Sequence, residues 1–166
     1  MINAQQWQGM DWRFARALEF IWREAELLDR KEYTAWGELW SEDGFYIIPI
    51  DRDCTDYASQ LNYAYDDANM RRLRIERLNS GLSMSAADAA YTVRTVSRCT
   101  LAQAEGDVVE VHSAQLLAAY KRGSMTMFAA DLTHRIRLTD EGAMLEQKVV
   151  RLINSFDTLN ALGFLM

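Results

Sequence analysis

Four side chains in this sequence could ligate a soft or borderline metal: Cys54, Cys99, His112 and His134. Two cysteines and two histidines are the ligand set of a Rieske iron–sulfur centre, and four ligands are what a structural zinc needs. The spacing fits neither. Structural zinc ligands arrive in close pairs such as C-x2-C, whereas each of these residues stands alone in its own stretch of chain. A mononuclear iron held by two histidines and one carboxylate could be assembled from His112, His134 and an acid such as Asp131. The plainer reading is of two ordinary strand histidines. His134 falls in step with Phe128, Leu132 and Ile136, which predicts an apolar face and one hydrogen-bonded ring nitrogen.

Other chemistries have less support. No serine lies in G-x-S-x-G, and neither cysteine has a histidine close by in sequence. The glycine loops that cradle phosphates, G-x-G-x-x-G and G-x-x-x-x-G-K-[ST], are absent. General acid–base work needs a carboxyl with a tuned pKa beside a tyrosine or histidine in a closed site. Tyr46, Tyr91, His112 and Asp131 are the candidates, and they would serve a free-standing lyase or isomerase. Asp131 shares its face with Met127 and Ala129, but that face continues as Thr133, Arg135 and Arg137. This continuation points to a solvated or ion-paired position.

The elements that must position these residues follow from periodicity. Phe14, Leu18, Ile21, Ala25 and Leu28 recur at helical spacing behind Asp11, a good N-cap. A short second helix is predicted with Tyr33, Trp36 and Trp40 on one side, their rings packing between helices. Gly44 then breaks the helix, and Phe45-Tyr46-Ile47-Ile48 reads as a buried strand closed by Pro49, the only proline. Residues 51–65 read as a loop. Asp66-Asp67 open a third helix to about Leu78, with Arg71, Arg72, Arg74 and Arg77 toward its end, suiting the helix dipole. That cluster is either a solvated face or a docking surface. Residues 79–90 read as another loop. From Tyr91 onward, long alternating segments are separated by Glu105-Gly106-Asp107, Lys121-Arg122-Gly123 and Asp140-Glu141-Gly142, which is hairpin-turn chemistry. Helices followed by a long-stranded antiparallel meander predict one α+β domain, a strongly curled sheet packed on the N-terminal helices.

Composition sets the outer bounds. The 166 residues are 49% apolar and 25% charged, with 18 Lys+Arg against 24 Asp+Glu and a net charge of −6. That is the profile of a globular chain, and its acidity argues against a general nucleic-acid binder. No uncharged run approaches the roughly 20 residues of a membrane span, and the N-terminus lacks the basic start and apolar run of a signal peptide. Two distant cysteines make no disulfide framework, so a reducing cytoplasm is expected.

Three stretches carry a family resemblance. Phe20-Ile21-Trp22-Arg23-Glu24-Ala25-Glu26-Leu27-Leu28-Asp29, followed by Tyr33 and Trp36, resembles the opening helix pair of the small (beta) subunits of aromatic-ring-hydroxylating, Rieske-type dioxygenases. Arg72-Leu73-Arg74-Ile75-Glu76-Arg77-Leu78-Asn79-Ser80-Gly81 and then Tyr91-Thr92-Val93-Arg94-Thr95-Val96-Ser97 are similar to that family's next helix and strand. The tail, Lys148-Val149-Val150-Arg151-Leu152-Ile153-Asn154-Ser155 and then Leu159, Leu162, Gly163-Phe164-Leu165-Met166, is the third. Family members often carry a proline-containing stretch between helix and strand, where this chain has Ser83-Met84-Ser85-Ala86-Ala87-Asp88-Ala89-Ala90. The resemblance implies a cone-shaped α+β roll like those of ketosteroid isomerase, scytalone dehydratase and nuclear transport factors. It implies no catalytic, cofactor or metal residue on this chain; the Rieske [2Fe-2S] cluster and mononuclear iron would sit on a large alpha subunit, in an α3β3 assembly built on a trimer of small subunits. The expected interfaces are Arg71, Arg74 and Arg77, together with an exposed apolar end, Phe164, Leu165 and Met166.

Overall fold

The computed structural model describes residues 10–80, 90–157 and 164–166. Helix α1 runs Trp12–Asp29, with the Asp11 carboxylate accepting from the Arg13 backbone N–H at its start. Its buried stripe contains the predicted Leu18, Ile21, Ala25 and Leu28, and also a charged residue, Glu24. Helix α2 is a single short piece, Tyr33–Gly37. Strand β1, Trp40–Pro49, follows almost at once. Trp40 therefore belongs to a strand, not to the second helix. Gly44 lies within that strand, at the register shift where β1 meets its neighbour.

Part of the region read as a loop over 51–65 is ordered as a one-turn 3-10 helix, Tyr57–Ser59, and strand β2, Asn62–Asp66. β2 is only five residues long, and its two buried positions are Ala64 and Asp66, so it carries too little apolar alternation to be seen in the sequence. Helix α3 runs Ala68–Ser80, capped by Asp67, whose carboxylate accepts from the Met70 N–H at 2.9 Å. The loop expected over 79–90 thus starts later, and residues 81–89 of it lie outside the described residues.

The four long strands are β3 (Tyr91–Glu105), β4 (Val108–Lys121), β5 (Ser124–Thr139) and β6 (Gly142–Leu152). Their turns fall at the predicted glycines. Gly106 and Gly123 adopt φ of +56° and +81°, the left-handed conformation that tight turns require. The six strands form one sheet in the order β2-β1-β6-β5-β4-β3. The sheet is mixed, because β1 runs parallel to β6 while every other pairing is antiparallel. The expected antiparallel meander of four long strands is present as β3 to β6; what the antiparallel expectation lacked is β1, which the helical start of the chain delivers to the far side of β6 in parallel.

Alternation divides the sheet into two faces. Val109, Val111, Leu117, Leu132, Ile136, Val150 and Leu152 point inward and are almost wholly buried together with α1. At the centre Trp36, Trp40 and Tyr46 meet edge to face, with ring centroids 5.3–6.3 Å apart, the preferred geometry for aromatic pairs. The end of the chain closes this core. Leu165 and Met166 are buried, the Tyr46 hydroxyl accepts from the Met166 N–H at 3.1 Å, and Phe164 packs on Phe128. The predicted apolar end is therefore covered by the chain itself rather than exposed. Among the described residues, no helix is long and apolar enough to cross a membrane.

Gly44 shows how tightly β1 is set against β6. A Cβ there would lie 2.9 Å from the Leu145 carbonyl oxygen, 3.2 Å from that of Glu146 and 3.0 Å from the Trp40 ring. Backbone carbonyls in a paired strand cannot step aside. Gly44→Ala is expected to lower unfolding free energy by about 2 kcal/mol, whereas Gly142→Ala, which meets nothing, changes it by less than about 0.5 kcal/mol. Urea melts of the two variants check this; equal effects would contradict it.

Candidate functional site

Two clusters of polar side chains lie on opposite faces of the sheet. The inner one centres on Glu24, which α1 presents to the core. Its carboxylate accepts from Trp36 Nε1 at 2.9 Å, Lys148 Nζ at 2.8 Å and His134 Nε2 at 3.2 Å. All three charged or titratable members are at most 2% exposed. Burial alone would push the Glu24 carboxyl up; Lys148 and His134 outweigh it and hold the group well below the usual carboxylate range. Burial dominates at His134 and lowers its pKa despite the bond to Glu24. The imidazole is thus neutral, donating through Nε2–H, and Nδ1 has no hydrogen-bond partner. This fits the sequence expectation of one satisfied nitrogen on an apolar face.

Sequence reasoning missed Glu24 and Lys148. The signal was there: Glu24 sits three residues after Ile21 and four before Leu28, on the buried stripe. Lys148 alternates with Val150 and Leu152 on the inward phase of β6. A charge at an apolar-phase position is costly alone and so calls for a partner.

The outer cluster lines an open cleft of about 560 Å³. Asp131 is gripped by two guanidiniums, Arg52 at 2.8 Å on one oxygen and Arg98 on the other. Arg98 reaches it from a β-bulge, with a positive φ of 51°. Arg151 bonds Thr133 and the Tyr57 hydroxyl, and His112 bonds Glu110 at 2.9 Å. Asp131 is ion-paired, as its arginine-rich face implied, each oxygen accepting from a guanidinium and neither from a tyrosine or histidine.

The four acid–base candidates are not brought together. Tyr46 is in the core, its hydroxyl committed to the Met166 backbone and its pKa pushed up to about 12 by burial. Tyr91 is 75% exposed beneath Lys31. His112 and Asp131 both line the outer cleft, each with other partners. The arginine cluster also divides. Arg71 is buried, donating to the carbonyls of Ser41, Gly44 and Asp66 and lying over the Trp40 ring. Arg74 pairs with Asp66 at 2.5 Å, while Arg77 stays exposed. Arg71 therefore anchors α3 to β1 and offers nothing to a partner.

The metal-ligand types fare similarly. His112 faces outward and His134 inward on adjacent strands, Cys54 lies in the β1–β2 connection and Cys99 in β3. Among the described residues, no three His, Cys, Asp or Glu side chains are placed to hold a metal. The donor set does not fit a Rieske cluster or a two-histidine iron.

The family model for the ring hydroxylating beta subunit matches residues 23–158. This chain belongs to that family. Benzene 1,2-dioxygenase subunit beta from Pseudomonas putida is 28% identical over 159 residues, covering 88% of this chain and 84% of that one. The beta subunit of benzoate 1,2-dioxygenase from Burkholderia mallei superposes with a TM-score of 0.73 at 20% identity, over 91% of this chain and 96% of that chain. An NTF2-like protein with a cystatin-like fold from Novosphingobium aromaticivorans superposes at 0.60 and 18% identity, over 84% and 81%, which places this beta subunit in the expected α+β roll class.

The inner network gives the beta subunit a defined acid response. His134 and Glu24 both titrate below their ordinary values of 6.5 and 4.5, so the unfolded chain takes up these protons first as pH falls. Their contribution is fully present above the unfolded pKa values and is lost on acidification. The His134 part goes below about pH 6.5 and the Glu24 part below about pH 4.5. Thermal melts across pH 7 to 4 are expected to show both declines, and His134→Gln to flatten the upper one. An unchanged slope between pH 6.5 and 5 in that variant would refute the assignment.

Proposed function

We propose that this beta subunit acts by assembly, holding iron-bearing alpha subunits of an aromatic ring-hydroxylating dioxygenase in place. The observation that carries this reading is the scatter of its ligand-type side chains over opposite faces of one sheet, in a chain whose family is that of a multi-subunit oxygenase. The Rieske [2Fe-2S] cluster and the mononuclear iron then belong to the alpha subunit, with reducing equivalents drawn from NADH. The complex takes α3β3 form around a small-subunit trimer and works in the cytoplasm on an aromatic ring. The interior described above is occupied by the Glu24 network, the Trp36–Trp40–Tyr46 cluster and the chain's own C-terminal residues. A free-standing lyase or isomerase would need that space for substrate.

Co-expression with the neighbouring large-subunit gene tests the proposal. The two chains are expected to co-purify in equal numbers, and the pair, supplied with its electron-transfer partners, to take up oxygen when an aromatic substrate is added. A small chain that never co-purifies with the large one would overturn it.

A further inference from the structure

Among the described residues, Arg151 is a cation without a carboxylate partner. It stands on β6 directly across from Asp131 on β5, the position from which an opposite charge would pair with it. Asp131 is turned elsewhere. Its two oxygens accept from Arg52, at 2.8 Å, and from Arg98. Arg98 reaches it from a β-bulge, with a φ of 51° in the left-handed region that is costly for any residue but glycine. The cleft's other carboxylate, Glu110, is bonded to His112. Acids are not scarce in this chain, which has 24 Asp+Glu against 18 Lys+Arg, yet none is placed on Arg151.

The surroundings of Arg151 are built of donors. Its guanidinium donates through Nη1 to the Thr133 hydroxyl at 2.9 Å and through Nη2 to the Tyr57 hydroxyl. Two of its N–H groups are spent in this way and the rest are not. Each hydroxyl uses its oxygen to accept, so its own proton is left to donate. The one-turn helix at Tyr57, β5 and β6 thus aim two hydroxyl protons and a guanidinium into one open cleft of about 560 Å³. That volume is in the range of small-molecule sites. Three guanidiniums against two carboxylates leave the cleft positive, although the whole chain carries −6.

We propose that this cleft binds a small molecule through an oxyanion, a carboxylate or a phosphate, seated on Arg151, Tyr57 and Thr133. A guanidinium presents paired N–H groups that match either oxyanion, and the two hydroxyls complete the shell. The strained Arg98 has a role in this arrangement. A carboxylate across from Arg151 would itself fill the ligand's place; Arg52 and Arg98 draw Asp131 aside and keep the anchor open. The proposal goes beyond the assembly reading, assigning a ligand to a face that reading does not use.

The test is isothermal titration calorimetry of the full chain with sodium phosphate and, separately, sodium malonate, at constant ionic strength. Saturable binding of at least one probe with a Kd below about 1 mM is expected, and the probe that binds shows whether the group is phosphate or carboxylate. Arg151→Gln should weaken binding at least about tenfold, and Tyr57→Phe, which removes a single hydroxyl, at least about threefold. Arg30→Gln removes a cation paired with Glu26 at the end of α1 and should leave binding unchanged. Circular dichroism melts within a few degrees of wild type show that the variants fold; if Arg151→Gln does not, Tyr57→Phe decides. The absence of saturable binding for both probes would overturn the proposal. Equal losses in Arg30→Gln and Arg151→Gln would do the same, because diffuse attraction to positive charge would then explain the binding. So would binding that disappears when the chain is co-purified with the large subunit, since an acidic side chain of that partner would be the occupant.

Discussion

The buried carboxylate of Glu24 is the constraint around which the structure is arranged. Removing it and its partners from water costs several kcal/mol per ion, and only complete pairing offsets that cost. Trp36, His134 and Lys148 supply the pairing from α2, β5 and β6. Deleting one partner of such a cluster leaves an uncompensated buried charge, a loss of about 3–5 kcal/mol. The cluster therefore acts less as net stabilisation than as a selector of register. His134 pairs directly with Lys148 across β5 and β6, and Lys148 with Tyr46 across β6 and β1. A one-residue slip of β6 would turn Lys148 to the outer face and leave Glu24 bare.

The same cluster helps decide where function can reside. A sheet folded over helices encloses a space that a ligand could occupy. Here that space is taken up by polar pairs, by three edge-to-face aromatic rings and by Leu165 and Met166. Arg71, threaded among three backbone carbonyls and over Trp40, seals the α3 side. Among the described residues, the outer surface is where ion pairs and an uncharged apolar half lie side by side.

Much of this was legible in the sequence, and the exceptions have physical causes. The amphipathic stripe of α1, the Asp11 cap and the turn glycines at 106 and 123 are local signals and appear where expected. β2 was not legible, because a five-residue strand that buries only an alanine and an aspartate is defined by its partner β1 and not by its own pattern. The parallel β1–β6 pairing is equally non-local. Trp40 could not be divided between helix and strand, since α2 and β1 are separated by two residues and both bury tryptophan. The Arg71–Arg77 cluster reads as one basic face, but burial separates it into an anchor, an ion-pair partner and a surface residue. The buried Glu24 and Lys148 announce themselves only when a charge at an apolar phase is taken as a demand for a partner. Asp131, by contrast, was already marked as ion-paired by the arginines that follow it on β5.

The central claim is a division of labour in which this chain organises and its partner carries the metals. It is tested most directly by metal analysis of the co-purified complex after its two chains are separated under conditions that retain bound iron. The account predicts iron and acid-labile sulfide with the large subunit and no stoichiometric iron with this chain. Iron retained by this chain, and lost on replacing His112 or His134, would contradict it.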